Sequence, residues 1–137
     1  MILVDTGPLV ALFDPNDAEH HRCVSVLQHL TEPLRTTVPV LTEAFHMLGP
    51  SSQGSDQLRE FVVRGGLSLW FFGPGTVTRA FELIDRYRDH PMDLADASLV
   101  VAAEALGGRR IFSIDRKDFE SYRVRRGHRY HPFDVIP

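Results

Sequence analysis

Four carboxylic acids in this 137-residue chain interrupt segments that otherwise read as buried. Asp5 closes the apolar run Met1-Ile2-Leu3-Val4, and Asp115 closes Ile111-Phe112-Ser113-Ile114. Glu43 breaks the apolar helical stretch after Pro39. Asp96 lies in Met92-Asp93-Leu94-Ala95-Asp96-Ala97, at the head of the most hydrophobic helix. An ionised carboxylate near a core is costly unless it is paired or coordinates a metal. Mg²⁺ and Mn²⁺ prefer carboxylate and water oxygens, and Mg²⁺ commonly adds substrate phosphate. Several acids in one crevice repel each other and raise their pKa values, and a divalent cation relieves that repulsion. Such an ion can polarise a phosphodiester and activate water for in-line attack. Each acid also has a plainer explanation. Asp5 suits a cap for a helix opening at Pro8, and Glu43 suits a solvated helix position. Asp93 and Asp96 suit the N-cap and N3 positions of one helix, where negative charge is favoured. Strand-to-loop chemistry accounts for an Asp at 115, and a turn cap for Asp118, with Phe119 packing as an anchor.

The elements that must position these groups follow from periodicity. Ile2 to Val4 reads as a short buried strand, and Pro8 to Phe13 as a helix stopped at Asp14-Pro15. Asp17 can cap a second helix with Cys23, Val26, Leu27 and Leu30 on one face. Arg35 to Val38 is a strand. Pro39 opens a third helix through Leu41, Ala44, Phe45 and Leu48. A fourth helix carries Leu58, Phe61 and Val62 and closes at Gly65-Gly66. Leu67 to Phe72 is a strand, and Val77 to Tyr87 gives a fifth helix that Pro91 breaks. Ala95 to Leu106 is apolar nearly all round and should be buried. Arg110 to Ile114 is a strand, and Pro132 weakens a last strand within Tyr130 to Ile136. Strands alternating with helices predict an α/β fold, a three-layer α/β/α sandwich with a mainly parallel sheet of four to five strands. No linker or repeat divides residues 1–137, so one domain is expected. Ligands of such sheets bind outside the carboxyl ends of the strands, where Asp5 and Asp115 fall.

Composition narrows the function classes. The longest apolar runs fall well short of the roughly 20 residues of a membrane span, and Asp5 cuts short any N-terminal leader. The single Cys23 allows neither a disulfide nor a cysteine metal cluster, which predicts a cytoplasmic setting. The seven histidines lack the spacing of a zinc pair and read as surface or packing residues. No serine sits in a nucleophile elbow, and there is no glycine-rich phosphate loop. Net charge is −3, but the segment from Arg109 to His131 is rich in Arg. That segment reads either as a solvated face or as a carrier of nucleic-acid backbone.

In order and spacing, Val4-Asp5-Thr6-Gly7-Pro8, Thr42-Glu43, Leu94-Ala95-Asp96-Ala97 and Ser113-Ile114-Asp115-Arg116-Lys117-Asp118-Phe119 resemble the PIN-domain family, and within it the VapC-type toxins of bacterial toxin–antitoxin pairs. The resemblance covers essentially the whole chain. It implies a Mg²⁺ or Mn²⁺ site made by Asp5, Glu43, Asp96 and Asp115, with Asp93 as an additional ligand or a support for one. It implies endoribonuclease activity, an RNA substrate, a cognate antitoxin and a homodimer. Thr6 and Ser113 match the family's small polar positions, Ser113 standing where Thr is more usual, and both are expected to serve substrate binding or carboxylate orientation. An acidic crevice cannot attract RNA by itself. Arg116 and Lys117, with some of Arg123, Arg125, Arg126 and Arg129, are therefore expected to hold phosphates. An antitoxin is expected to insert an Arg onto the carboxylates.

Three other functions compete. Asp5-Thr6-Gly7 spells the aspartic-protease triplet, but that chemistry normally uses an all-β frame, and this chain is helix-rich. A phosphotransferase would use Asp5 as a nucleophile and leave an aspartyl-phosphate. A catalytically silent RNA- or partner-binding module would keep the fold, yet all four acids are retained.

Overall fold

Ile2–Val4 form strand β1 at the centre of the sheet, and all three residues are buried. Because side chains alternate sides along a strand, both faces of the sheet must be covered at this point. The computed structural model describes residues 1–137. After β1 come helices α1 (Thr6–Phe13) and α2 (His20–His29), strand β2 (Leu34–Thr37), helices α3 (Val38–Leu48) and α4 (Gln53–Val63), and strand β3 (Ser68–Trp70). Helices α5 (Pro74–Arg86) and α6 (Leu94–Leu106) precede β4 (Arg110–Phe112) and the short helix α7 (Arg116–Ser121). Strands β5 (Arg123–Arg126), β6 (Arg129–Pro132) and β7 (Asp134–Ile136) complete the chain.

The central sheet runs β3-β2-β1-β4-β7, and every pair in it is parallel. The chain therefore winds outward from β1 in one direction to β2 and β3, and in the other to β4 and β7. The reversal falls between β1 and β4, and a crevice opens there at the carboxyl ends of the strands. Register puts Leu3 beside Ile111 and Val4 beside Phe112, and the Asp5 amide donates to the Phe112 carbonyl at 3.0 Å. Asp5 is thereby brought level with Ser113.

Helix starts follow their sequence signals, with one shift. α1 opens at Thr6, two residues before Pro8, so Asp5 stands at the N-cap, but its side chain makes no cap hydrogen bond. Gly7 lies in the first turn. A Cβ there would lie 2.6 Å from Ile114 Cγ1, so a larger residue would have to push that side chain aside for α1 to close onto the segment that carries Asp115. α3 follows β2 with no loop, which sets Glu43 near the carboxyl end of the sheet. α6 is capped by Asp93 and ends at Gly107 in the left-handed conformation, where glycine is favoured.

The last third of the chain departs from the sequence reading. A single weak strand was expected within Tyr130 to Ile136. Instead β7 joins the main sheet, while β5 and β6 form a separate antiparallel hairpin. Gly127 has positive φ and takes the first position of the two-residue turn between paired Arg126 and Arg129, a pattern favoured in tight hairpins. Pro132 is tolerated because it ends a strand that pairs on one side only. Phe119 is fully buried on α7, an added helix where only a turn was expected.

One buried ion pair ties the hairpin to the helices. Arg79 of α5 donates to Glu104 of α6 through Nε at 2.9 Å and through its second terminal nitrogen at 3.0 Å. Glu104 also accepts the Arg125 backbone amide at 3.0 Å. The side chains are only 13% and 12% exposed. Removing one partner of such a pair strands the other charge. Glu104→Ala is expected to lower unfolding stability by roughly 3 kcal/mol, read as a fall in the urea midpoint at constant m-value. A loss below about 0.5 kcal/mol, the scale of an exposed pair, would show that this bridge does not hold the hairpin.

Candidate active site

The crevice at the strand reversal has a volume of about 540 Å³ and is lined by Asp5, Thr6, Gly7, Glu43, Met47, Pro91, Met92, Asp93, Asp96, Ile114, Asp115 and Asp118. Six of these twelve residues are acids, and none is Lys or Arg. Nor does any of the six form an ion pair with Lys or Arg elsewhere. Their one basic partner is His90, which meets Asp118. All five acids expected from the sequence are present, joined by Asp118, which had been read only as a turn cap.

Each carboxylate is held by its own local chemistry. Asp5 is 7% exposed and receives a hydrogen bond from Ser113 Oγ at 2.8 Å. Ser113 is itself buried and accepts the Asp115 amide at 3.0 Å, so one hydroxyl links two of the acids. It thus orients carboxylates rather than lining the crevice. Thr6 is buried too, and its hydroxyl is the one buried side-chain polar atom with no hydrogen-bond partner. Asp96 accepts from the Tyr122 hydroxyl at 3.2 Å and, more weakly, from the Asp93 amide at 3.4 Å. Asp93 in turn accepts the Asp96 amide at 2.8 Å. Asp93 is therefore the helix cap that sequence allowed and a wall of the crevice as well. Asp118 meets His90 Nε2 at 2.6 Å. Glu43 is half-buried on α3 and makes no side-chain hydrogen bond in the protein.

The electrostatics follow from this crowding. Burial pushes the Asp5 carboxyl up to about 6. The neighbouring charges of Asp115 and Glu43 add to the rise, while the Thr6 amide and Ser113 hydroxyl partly oppose it. Burial, then the charges of Asp93 and Asp5, raise Asp96 to about 8. Asp115 is raised as well, first by the hydrogen bond it shares with Asp118, then by desolvation and the Asp118 charge. Tyr122 is fully buried, and desolvation followed by the Asp96 charge keeps its phenol protonated. It can therefore donate to Asp96 at any physiological pH.

Donor type and charge suit a hard divalent cation: six carboxyl groups, excess negative charge and no Lys or Arg competing for them. The side chains do not yet form a chelate, since no three His, Cys, Asp or Glu groups are gathered closely enough to hold an ion as they stand.

The basic residues expected near the site are mostly committed elsewhere. Arg116 donates to Glu120 at 2.7 Å and to the backbone oxygens of Val135 and Pro137 at 3.1 and 2.6 Å, so it pins the C-terminus. Arg123 binds the Glu120 and Tyr122 carbonyls, and Arg126 binds those of Glu104 and Gly108. Lys117 is exposed on α7 without a partner but does not line the crevice. His90 and Tyr122, which touch the acids, were missed. Their only sequence signal was an aromatic and a His flanking acidic motifs. Beside the crevice lies an apolar groove of about 650 Å³, bounded by Val38, Pro39, Leu94 and Ala95 and sharing Glu43 and Asp93.

Known proteins are similar to this chain in sequence and in fold. The PIN domain model matches residues 2–124. Ribonuclease VapC26 of Mycobacterium tuberculosis is 28% identical over 140 residues, covering 99% of this chain and 100% of that protein. The crystal structure of VapC20 from Mycobacterium tuberculosis, a sarcin–ricin loop cleaving toxin, superposes with a TM-score of 0.74 at 17% identity, over 81% of this chain and 87% of that one. A toxin–antitoxin complex from Klebsiella pneumoniae gives 0.67 at 16% identity, over 88% and 92%. The two structures share the fold; the family model spans nearly the whole chain and assigns it: this protein belongs to the PIN domain family.

Proposed function

We propose that the protein is a Mg²⁺- or Mn²⁺-dependent endoribonuclease, the toxin of a cytoplasmic toxin–antitoxin pair. The observation that carries this reading is the crevice at the β1/β4 reversal, with six acids and no Lys or Arg. Asp5, Asp96 and Asp115 would hold the ion, with Glu43 and Asp93 completing the set directly or through water. The ion, when bound, supplies Lewis-acid polarisation of a phosphodiester and a lowered pKa for water. The protein's own groups do the positioning. Ser113 fixes Asp5 against Asp115, Tyr122 fixes Asp96, and His90 fixes Asp118. Thr6 offers an unpaired hydroxyl beside Asp5. The name of the VapC26 relative supports ribonuclease as the activity. The parallel sheet and the helix that follows Asp5-Thr6-Gly7 speak against an aspartic protease.

The same crevice suits inhibition. An antitoxin Arg could fork onto the free carboxylates, while an apolar segment covers Val38, Pro39 and Leu94 in the adjoining groove. Homodimerisation rests on the family resemblance alone. No helix is long and apolar enough to cross a membrane.

The chemical test is cleavage of single-stranded or loop RNA by purified, antitoxin-free protein. Activity is expected with Mg²⁺ or Mn²⁺ and not in EDTA, leaving 5′-phosphate and 3′-hydroxyl ends. Cyclic 2′,3′-phosphate ends or full activity in EDTA contradict the mechanism. Asp5→Asn, Asp96→Asn and Asp115→Asn should each reduce the rate by at least about a hundredfold, and Glu43→Gln by less. Ser113→Ala should cost about tenfold, as outer-shell partners of metal ligands do, and Ser113→Thr should restore the rate.

Stability should respond to pH through the same acids. A carboxyl raised in the folded state binds more protons folded than unfolded. Its contribution to stability is therefore full below pH about 4 and lost as pH rises through the folded value. For Asp5, the rise from 3.8 to about 6 corresponds to an unfavourable term on the order of 3 kcal/mol at neutral pH. In EDTA, Asp5→Asn should gain Tm relative to wild type as pH goes from 4 to 8. Millimolar Mn²⁺ at pH 8 should raise the wild-type Tm much more than that of the variant. Melting curves that stay parallel across pH, or equal shifts with Mn²⁺, would show that Asp5 carries no such strain.

A further inference from the structure

A crevice whose charged residues are all acids repels RNA phosphates, and most guanidiniums of the basic segment are spent on backbone carbonyls. A different group remains free on the β5–β6 hairpin. Arg125 and Tyr130 are cross-strand partners and both are exposed. The Arg86 guanidinium lies over the Tyr130 ring at 4.6 Å from its centroid, and its first terminal nitrogen donates to the Tyr130 hydroxyl at 3.1 Å. The Tyr130 phenol is lowered by that hydrogen bond and by the charges of Arg86 and Arg125. Neither the Arg125 nor the Arg129 side chain has an acid or carbonyl partner, and Arg86 is bonded only to neutral Tyr130. Tyr130 is 45% exposed, so part of its aromatic surface stays open beside the Arg86 that backs it.

We infer that Arg86, Arg125 and Tyr130 form a stacking platform for single-stranded RNA that flanks the bond cut in the acidic crevice. This assignment rests on the ribonuclease reading of that crevice. An exposed ring backed by guanidiniums is the combination that binds unpaired bases and their phosphates without reading sequence. A duplex would not offer its base faces. The placement is fixed by α6. Asp96 lies in its first turn at the crevice, and Glu104, eight residues on, accepts the Arg125 amide. At 1.5 Å per residue, Asp96 and Glu104 stand about 12 Å apart along the helix axis, a span that a few nucleotides can bridge. Arg125 is docked by its backbone amide, so its side chain can be changed without undoing the hairpin.

The test is fluorescence anisotropy of a labelled 12-nucleotide single-stranded RNA on the full chain, in EDTA and in an Asp5→Asn background, across a salt series. Tyr130→Ala should weaken binding about tenfold or more, as loss of one stacked base does. Tyr130→Phe should bind within about threefold of the parent, because stacking survives. Arg86→Gln with Arg125→Gln should weaken binding and reduce the salt slope by about 1.4, two phosphate contacts on a single strand. Unchanged Tm in these variants separates a contact from a folding defect. Unchanged affinity and slope in Tyr130→Ala and in the double Arg variant overturn the platform and leave this surface to a protein partner. The cleavage assay with wild type and Mn²⁺ is independent of this result. Its failure would sink the ribonuclease reading, whereas the anisotropy series decides the platform alone.

Discussion

The hydrogen bond from Ser113 to Asp5 joins the ends of β1 and β4, and the rest of the site depends on it. It exists because the parallel pairing of these strands sets Asp5 level with Ser113, one residue beyond the matched Val4 and Phe112. The strand reversal leaves a crevice at that point rather than another crossover helix. Everything else arrives at the crevice by short connections. α1 starts at once and presses Gly7 on Ile114, α3 follows β2 with no loop, and α6 points its capped end at Asp5.

The structure keeps unpaired carboxyl groups where folding alone would remove them. Asp5 and Asp96 have no cationic partner, and both are held well above ordinary carboxyl values by burial and by their neighbours. Elsewhere the chain pairs its buried charges, as Arg79 and Glu104 show. The contrast within one molecule is the physical argument for a cation at the crevice. Clustered carboxylates destabilise the empty protein and favour whatever neutralises them, whether a metal ion or the Arg of an inhibitor. The same negative field repels RNA, so phosphate binding must be displaced to surfaces outside the crevice.

Much of this was legible in the sequence because it depends on local patterns. Apolar runs ended by Asp5 and Asp115 located strand ends, and the Asp93/Asp96 spacing located a helix start that also faces the crevice. The β-branched and apolar segments gave all five strands of the main sheet, the last only weakly. What stayed hidden depends on tertiary contact. Asp118 looks like a turn residue until His90 and Asp115 are seen beside it. Arg116 and Arg126 look like free phosphate ligands until their guanidiniums are found on backbone carbonyls. The hairpin was obscured because its strands are mostly Arg, Tyr and His, with Val124 the one fully buried apolar residue in them.

The central claim is that the crowded acids of the crevice hold a divalent ion, which displaces protons from carboxyls raised by burial and by one another. Titration calorimetry with Mn²⁺ at pH 7, repeated in buffers of different ionisation enthalpy, measures that displacement directly. Ligand carboxyls must be deprotonated to bind metal, and burial with the charges of Asp93 and Asp5 raises the Asp96 carboxyl. Binding should release roughly one proton per ion, and Asp96→Asn should abolish the release. Binding heats identical in every buffer would show that the acids are already ionised, and would contradict the account.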